Sequence, residues 1–146
     1  MISLVDLKHT LESARTIAIM GCSADPSRTS YRIADYLQQA GYRIIPVNPN
    51  YEEVLGERCY PDLHAVPADI HIDIVNIFRR ARFTAEMVQQ AIDRAEETGE
   101  RPTIWTQLAV HSPLAENLAE AAGFPYVKNR CIMVAHRQMA GMVGGG

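Results

Sequence analysis

The stretch Gly21-Cys22-Ser23-Ala24-Asp25-Pro26-Ser27-Arg28-Thr29-Ser30 sets a glycine, several hydroxyls and an arginine between an apolar run and a helical pattern. Gly21 lets backbone approach a ligand closely, and Ser23, Thr29 and Ser30 supply hydroxyls. Free N–H groups at a helix start favour an anion such as pyrophosphate, helped by a dipole contribution of about 0.3–1 kcal/mol. The plainer reading is that Ser and Thr only cap the helix. Farther along, Phe78-Arg79-Arg80-Ala81-Arg82 holds three arginines within four positions. Guanidinium forks match phosphate oxygens, and guanidinium and phenyl faces stack on adenine. Cations at a helix start oppose the macrodipole, so this cluster points to an anionic partner. Gln107, in Trp105-Thr106-Gln107-Leu108, offers an amide to a ligand, whereas Trp105 is expected to fill core.

The Gly21 loop is not a dinucleotide fingerprint, because Ser23 and Pro26 stand where G-x-G-x-x-G needs its later glycines. It is not a P-loop either, since the Gly-Lys-Ser/Thr ending is missing. NAD sites place an acid near the end of the second strand to hold the ribose hydroxyls. Here that segment reads Pro46-Val47-Asn48-Pro49-Asn50, with no acid before Glu52. A neutral amide tolerates a phosphate on the ribose that a carboxylate would repel. NAD is therefore disfavoured, and a phosphorylated adenosine is allowed.

The elements that must position these groups follow from periodicity. Thr16–Gly21, Arg43–Val47, Ile72–Phe78 and Thr103–Leu108 are short apolar runs suited to strands buried on both faces, and Pro125–Lys128 is a weaker fifth. Between them, Ile33, Ala34, Leu37 and Ala40 share a helix face that stops at Gly41. Phe83, Met87, Val88, Ala91, Ile92 and Ala95 repeat at helical spacing until Gly99. Ser112-Pro113 is an N-cap and first-turn pair ahead of Leu114, Leu118 and Ala122, with Gly123 as the stop. The segment 2–14 reads as an added amphipathic helix, and 144–146 as a frayed tail. Alternating strands and helices imply a Rossmann-like, doubly wound α/β fold: a parallel sheet of about five strands with helices on both faces. Ligands in such sheets bind beyond the carboxyl ends of the strands, where strand order reverses. That places the Gly21 loop, Asn48, the arginines and Gln107 at one edge.

The chain has 146 residues, enough for one domain that buries about 68–70% of its unfolded surface without disulfide or metal. Hydrophobic content of 47% and charged content of 21% exclude disorder, collagen and coiled coil. The longest run free of Asp, Glu, Lys and Arg, Pro102–Ala115, is too short to span a bilayer. Asp6, Lys8 and Glu12 interrupt any signal-peptide core, so a cytoplasmic protein is expected. A net charge of −3 gives no general attraction to nucleic acid or membrane. Cys22, Cys59 and Cys131 lack Cys-x-x-Cys spacing and read as reduced thiols, with neither a disulfide framework nor a zinc site. Cys22 beside a helix start and Cys131 after Arg130 occupy positions that can lower a thiol pKa, but burial as small hydrophobes is the favoured reading. His9, His64, His71, His111 and His136 show no metal spacing, and His111 reads as surface loop. No Ser-His-Asp set or paired carboxylate site assembles.

Taken in order, Gly21-Cys22-Ser23, Ser30-Tyr31, Gly41-Tyr42-Arg43, Pro46-Val47-Asn48-Pro49, Gly56, Phe78-Arg79-Arg80, Trp105-Thr106-Gln107-Leu108 and Asn129-Arg130-Cys131 make a recognisable set. The chain resembles the small stand-alone CoA-binding proteins, whose domain is similar to the CoA-binding domain of succinyl-CoA ligase alpha subunits. The likeness runs over residues 14–138. It implies coenzyme A as cofactor, with Gly21, Cys22 and Ser23, Arg28 and the helix start near Ser30 around the pyrophosphate. Asn48 and Pro49 would border the adenosine, and Phe78, Arg79, Arg80 and Gln107 would line the remainder. Two departures are Ala109, where the family commonly has glycine, and Asn129, where aspartate is common before Arg-Cys. The ligases carry their phosphorylated histidine and nucleotide-grasp domain on additional sequence. The resemblance therefore implies a non-catalytic binder of CoA or an acyl-CoA, its partner that small molecule. The alternatives are an NAD(P)-type enzyme, suggested by fold alone, or a CoA-binding subunit of a separate acyl-CoA ligase; self-association stays open.

Overall fold

The computed structural model describes residues 4–107, 110 and 112–144. The elements run α1 (Leu4–Ser13), β1 (Thr16–Met20), α2 (Thr29–Gln39), β2 (Arg43–Val47), β3 (Glu53–Val54) and β4 (Glu57–Arg58), followed by a single 3-10 turn at Leu63–Ala65. They continue with β5 (Ile74–Ile77), α3 (Ala81–Thr98), β6 (Thr103–Thr106), α4 (Pro113–Ala121), β7 (Tyr126–Val127) and α5 (Ile132–Gly144). Five strands form one parallel sheet in the order β2-β1-β5-β6-β7. Strand order reverses between β1 and β5, which makes the carboxyl ends of these two strands the switch point.

Strand alternation sorts the core into two layers. Ile17 and Ile19, with Ile44, Ile74, Trp105 and Val127, pack against Leu7 and Leu11 of α1, Ile33 and Leu37 of α2, and Ile132, Ala135 and Met139 of α5. Ala18 and Met20, with Ile45, Val75, Ile77 and Ile104, pack against Val88 and Ala91 of α3 and Ala115 and Ala119 of α4. The sheet is thus covered on both faces, as its near-continuous apolar strands require. Ser112 caps α4, its side chain accepting from the Ala115 N–H, with Pro113 in the first turn.

Three features were not expected from the sequence. The first is α5, which extends the helical layer past β7 and takes Gly144, expected in a frayed tail, into its last turn. The second is the β3–β4 hairpin, whose two-residue turn Leu55-Gly56 has φ of +54° and +77°, the sign pattern of a primed turn. The third is a buried ion pair: Arg94 of α3 donates to Glu100 and to the carbonyls of Val66, Pro67 and Ile70, while Glu100 accepts the Ile72 N–H. The expected helix 2–14 is realised as α1, its first two expected residues lying outside the described ones. No helix among the described residues is long and apolar enough to cross a membrane.

Candidate functional site

Each of the three central strands continues its ladder one residue or so past its end. The Gly21 N–H donates to the Val47 carbonyl at 2.8 Å, Phe78 to Met20 at 3.0 Å, and Gln107 to Ile77 at 3.2 Å. Ile19, Asn76 and Trp105 lie opposite one another, so two residues on, Gly21, Phe78 and Gln107 form a row across the carboxyl edge. Gly21 turns the chain with φ of +84°, and a Cβ there would meet Arg79 Cδ at 2.9 Å. Glycine is demanded twice, by the dihedral and by the arginine stem laid over it.

Beyond Gly21 the hydroxyls organise the loop and leave the helix start bare. Ser30 Oγ accepts the Ser23 N–H at 3.0 Å, Ser23 Oγ accepts the Asp25 N–H at 2.9 Å, and Asp25 Oδ1 accepts both the N–H and hydroxyl of Ser27. The two Ser27 donors, backbone first, hold the Asp25 carboxyl below its ordinary range, and the Arg28 charge adds to this. The α2 N-cap is Arg28, which makes no side-chain cap. Capping by Ser or Thr therefore does not explain this loop. The first intrahelical bond runs from Arg32 N–H to the Arg28 carbonyl, so the N–H groups of Thr29, Ser30 and Tyr31 meet no acceptor among the described residues. Ser30, having accepted, retains its own O–H for a ligand.

A polar cavity of about 370 Å³ sits here, lined by Gly21, Ser23, Arg28, Thr29, Ser30, Asn48, Tyr51 and Phe78. Seven of these eight residues, all but Tyr51, are ones expected from sequence, and they meet around one space. Tyr51 was missed; its hydroxyl stands 3.5 Å from Ser23 Oγ. Only the β1–β2 pairing brings it there, so no local signal marks it. Asn48 is buried, and its amide stitches the two loops together: Nδ2 donates to the Cys22 carbonyl at 3.0 Å, and Oδ1 accepts the Asn50 N–H at 2.9 Å. Pro49 is exposed beside it, outside the cavity lining.

Arg79 and Arg80 are not among the lining residues; the Arg79 stem reaches the site only by lying over Gly21. The guanidinium carbons of Arg79 and Arg82 both stand 4.7 Å from the Phe83 ring centre, and Arg80 is the exposed N-cap of α3. Among the described residues no carboxylate pairs with any of these three arginines. Gln107 is buried at 9% exposure, and its Oε1, like Asn76 Oδ1, has no hydrogen-bond partner among them. Trp105 fills core as expected, its indole N–H donating to the Arg130 carbonyl at 3.0 Å.

Cys22 does not offer a reactive thiol. It is fully buried, and burial, with Cys59 nearby, pushes its thiol up to about 12, opposite to the lowering that a helix start can give. Its carbonyl accepts from Asn48 Nδ2, and its thiol makes one long contact, donating to the Ser23 carbonyl at 3.9 Å. Cys131 is half-buried. Leu108, Ala109 and His111 lie outside the described residues. No cluster of His, Cys, Asp or Glu among the described residues is arranged to hold a metal ion. Bare N–H groups, a free hydroxyl proton and unpaired guanidiniums fit a diphosphate, and the two buried amide oxygens fit a ligand that brings N–H or O–H donors.

A family model described as a CoA binding domain matches residues 15–137. The chain is 33% identical to the uncharacterised protein YneT of Bacillus subtilis (strain 168) over 92% of this chain and 94% of that one. It is 31% identical over 70 residues to the ADP-forming acetate–CoA ligase of Methanocaldococcus jannaschii, covering 48% of this chain but 10% of the ligase. A hypothetical protein from Pyrococcus horikoshii OT3 superposes with a TM-score of 0.88 at 35% identity, covering 96% of this chain and 94% of that one.

Proposed function

The chain belongs to the CoA-binding domain family, and from that premise we propose that it binds coenzyme A or an acyl-CoA at the carboxyl edge of its sheet, as a cytoplasmic carrier-binding module without catalysis of its own. One observation carries the reading: a glycine-serine turn delivers the chain into a helix whose first N–H groups meet no acceptor among the described residues, beside a polar cavity. The bare N–H groups of α2 and the Ser30 hydroxyl take the diphosphate, as helix N-termini take anions. Gly21 and the Ser23 backbone allow its close approach, and Arg28 supplies charge at the mouth. Phe78, Arg79 and Arg80 follow β5 at this edge, where guanidiniums that no carboxylate among the described residues pairs with favour further phosphate. The absence of an acid between Val47 and Glu52 leaves room for a phosphorylated ribose near Asn48 and Pro49. Calorimetry with CoA, 3′-dephospho-CoA and NAD tests this. The expected order is CoA tightest, with the 3′-phosphate worth about tenfold, or about 1.4 kcal/mol. Weak or equal binding of all three overturns it.

A second reading rests on the likeness to acetate–CoA ligases, of which the chain spans about a tenth. In it, the chain lends its carrier site to a separate ligase chain. Co-migration with a ligase chain during purification from the native cell supports that reading; a lone chain with CoA bound counts against it.

A further inference from the structure

Building on the carrier site above, we infer that Cys131 is a thiol-exchange site, where the protein forms a mixed disulfide with the sulfur end of a bound pantetheine-type carrier. The loop from β7 to α5 is held against the end of β6. The Asn129 N–H donates to Thr106 Oγ1, the Arg130 N–H to the Thr106 carbonyl, and Trp105 Nε1 to the Arg130 carbonyl. Cys131 follows directly and opens α5, its carbonyl accepting the Ala135 N–H.

Gln107 is the residue after Thr106, and alternation turns it to the face of Trp105, where α5 begins. Its Oε1 is buried and unpartnered among the described residues, as is that of Asn76 on the same face of β5. A buried acceptor without a donor is costly, and two on one face of adjacent strands call for a ligand carrying N–H groups. The amide-bearing arm of pantetheine is such a ligand. From β1, where the diphosphate cradle lies, to β6 is two strand spacings of about 4.8 Å each. An extended arm running along this edge past Gln107 brings its sulfur to Cys131. The other two cysteines are buried, whereas Cys131 is half-exposed.

The exchange needs a disulfide of the carrier as co-reactant. The Cys131 thiolate attacks one sulfur of that disulfide, the carrier S–S bond breaks, and a bond from Cys131 Sγ to one carrier half forms. The other half leaves as a thiolate and takes up the proton that Cys131 gave to solvent. Cys131 is oxidised, one carrier half is reduced, and added thiol reverses the step.

The test incubates the native protein with CoA disulfide and, separately, with glutathione disulfide, reading intact mass and mapping the adduct. One CoA adduct on Cys131 is expected, reversed by dithiothreitol and absent from Cys131→Ser. It should form at least about tenfold faster than the glutathione adduct, because the site holds the reactant in place. No adduct, an adduct on Cys22 or Cys59, or equal rates with the two disulfides overturns the inference. Calorimetry with reduced CoA separates the two layers: binding without exchange removes this inference alone, and absence of binding removes the carrier site beneath it.

Discussion

At Gly21 a positive φ coincides with the stem of Arg79 lying where a side chain would grow. Gly21→Ala is therefore expected to lose about 1–2 kcal/mol from the dihedral. The clash itself is with a flexible stem that can shift. Because shifting the Arg79 stem disturbs what lies over Gly21, CoA affinity should also fall by about tenfold, or about 1.4 kcal/mol. Thermal melting and calorimetry on the same protein check both numbers. Ser30 offers a contrasting case. Its oxygen holds the Ser23 N–H, so Ser30→Ala frees the turn as well as removing a ligand donor. A loss of about 1–3 kcal/mol in carrier binding is expected, larger than its effect on melting, which is read from the same two experiments.

Among elements, the joint between α3 and the segment before β5 rests on Arg94 and Glu100, 4% and 3% exposed. Removing one partner strands the other charge, so Glu100→Ala should lower urea-unfolding stability by about 3–5 kcal/mol. Glu100 precedes β6 and Ile72 precedes β5, so this joint lies at the amino edge of the sheet. Carrier binding by the folded variant should remain, as calorimetry below the unfolding midpoint will show. The five strands of the parallel sheet and α2, α3 and α4 were legible because each joins an apolar run or period to a turn residue or cap. The helix α5 was not, since Ile132-Met133-Val134 is apolar on all sides and glycines interrupt its end. Two-residue strands such as β3 and β4 are too short to show alternation. At the site, glycine, hydroxyl and arginine positions followed from the sheet-edge rule. Tyr51 and the stitching by Asn48 did not, because both depend on loops from different strands meeting. For Cys22 the favoured reading, a small buried hydrophobe, is the one that core packing realises, and the lowering a helix start can give is outweighed by burial.

For the whole molecule, burial governs the response to pH. Desolvation raises Cys22 and Tyr126 to about 12, and it also raises Cys59 and Tyr42. The folded chain keeps these protons more tightly than the unfolded one. Their stabilisation is therefore complete below the ordinary thiol value of 9.0 and is lost as pH climbs toward about 12. Burial lowers His136, whose contribution is present above 6.5 and is lost as pH falls below it. Scanning calorimetry should give a melting temperature that is level between these limits and declines on either side. The placement of Trp105 has a practical outcome. It is the chain's single tryptophan, sealed in the interior two residues before Gln107 at the carboxyl edge of the sheet. Its fluorescence should be blue-shifted and should change in intensity when an occupant presses on the loop that holds its indole, giving an optical titration that needs no label.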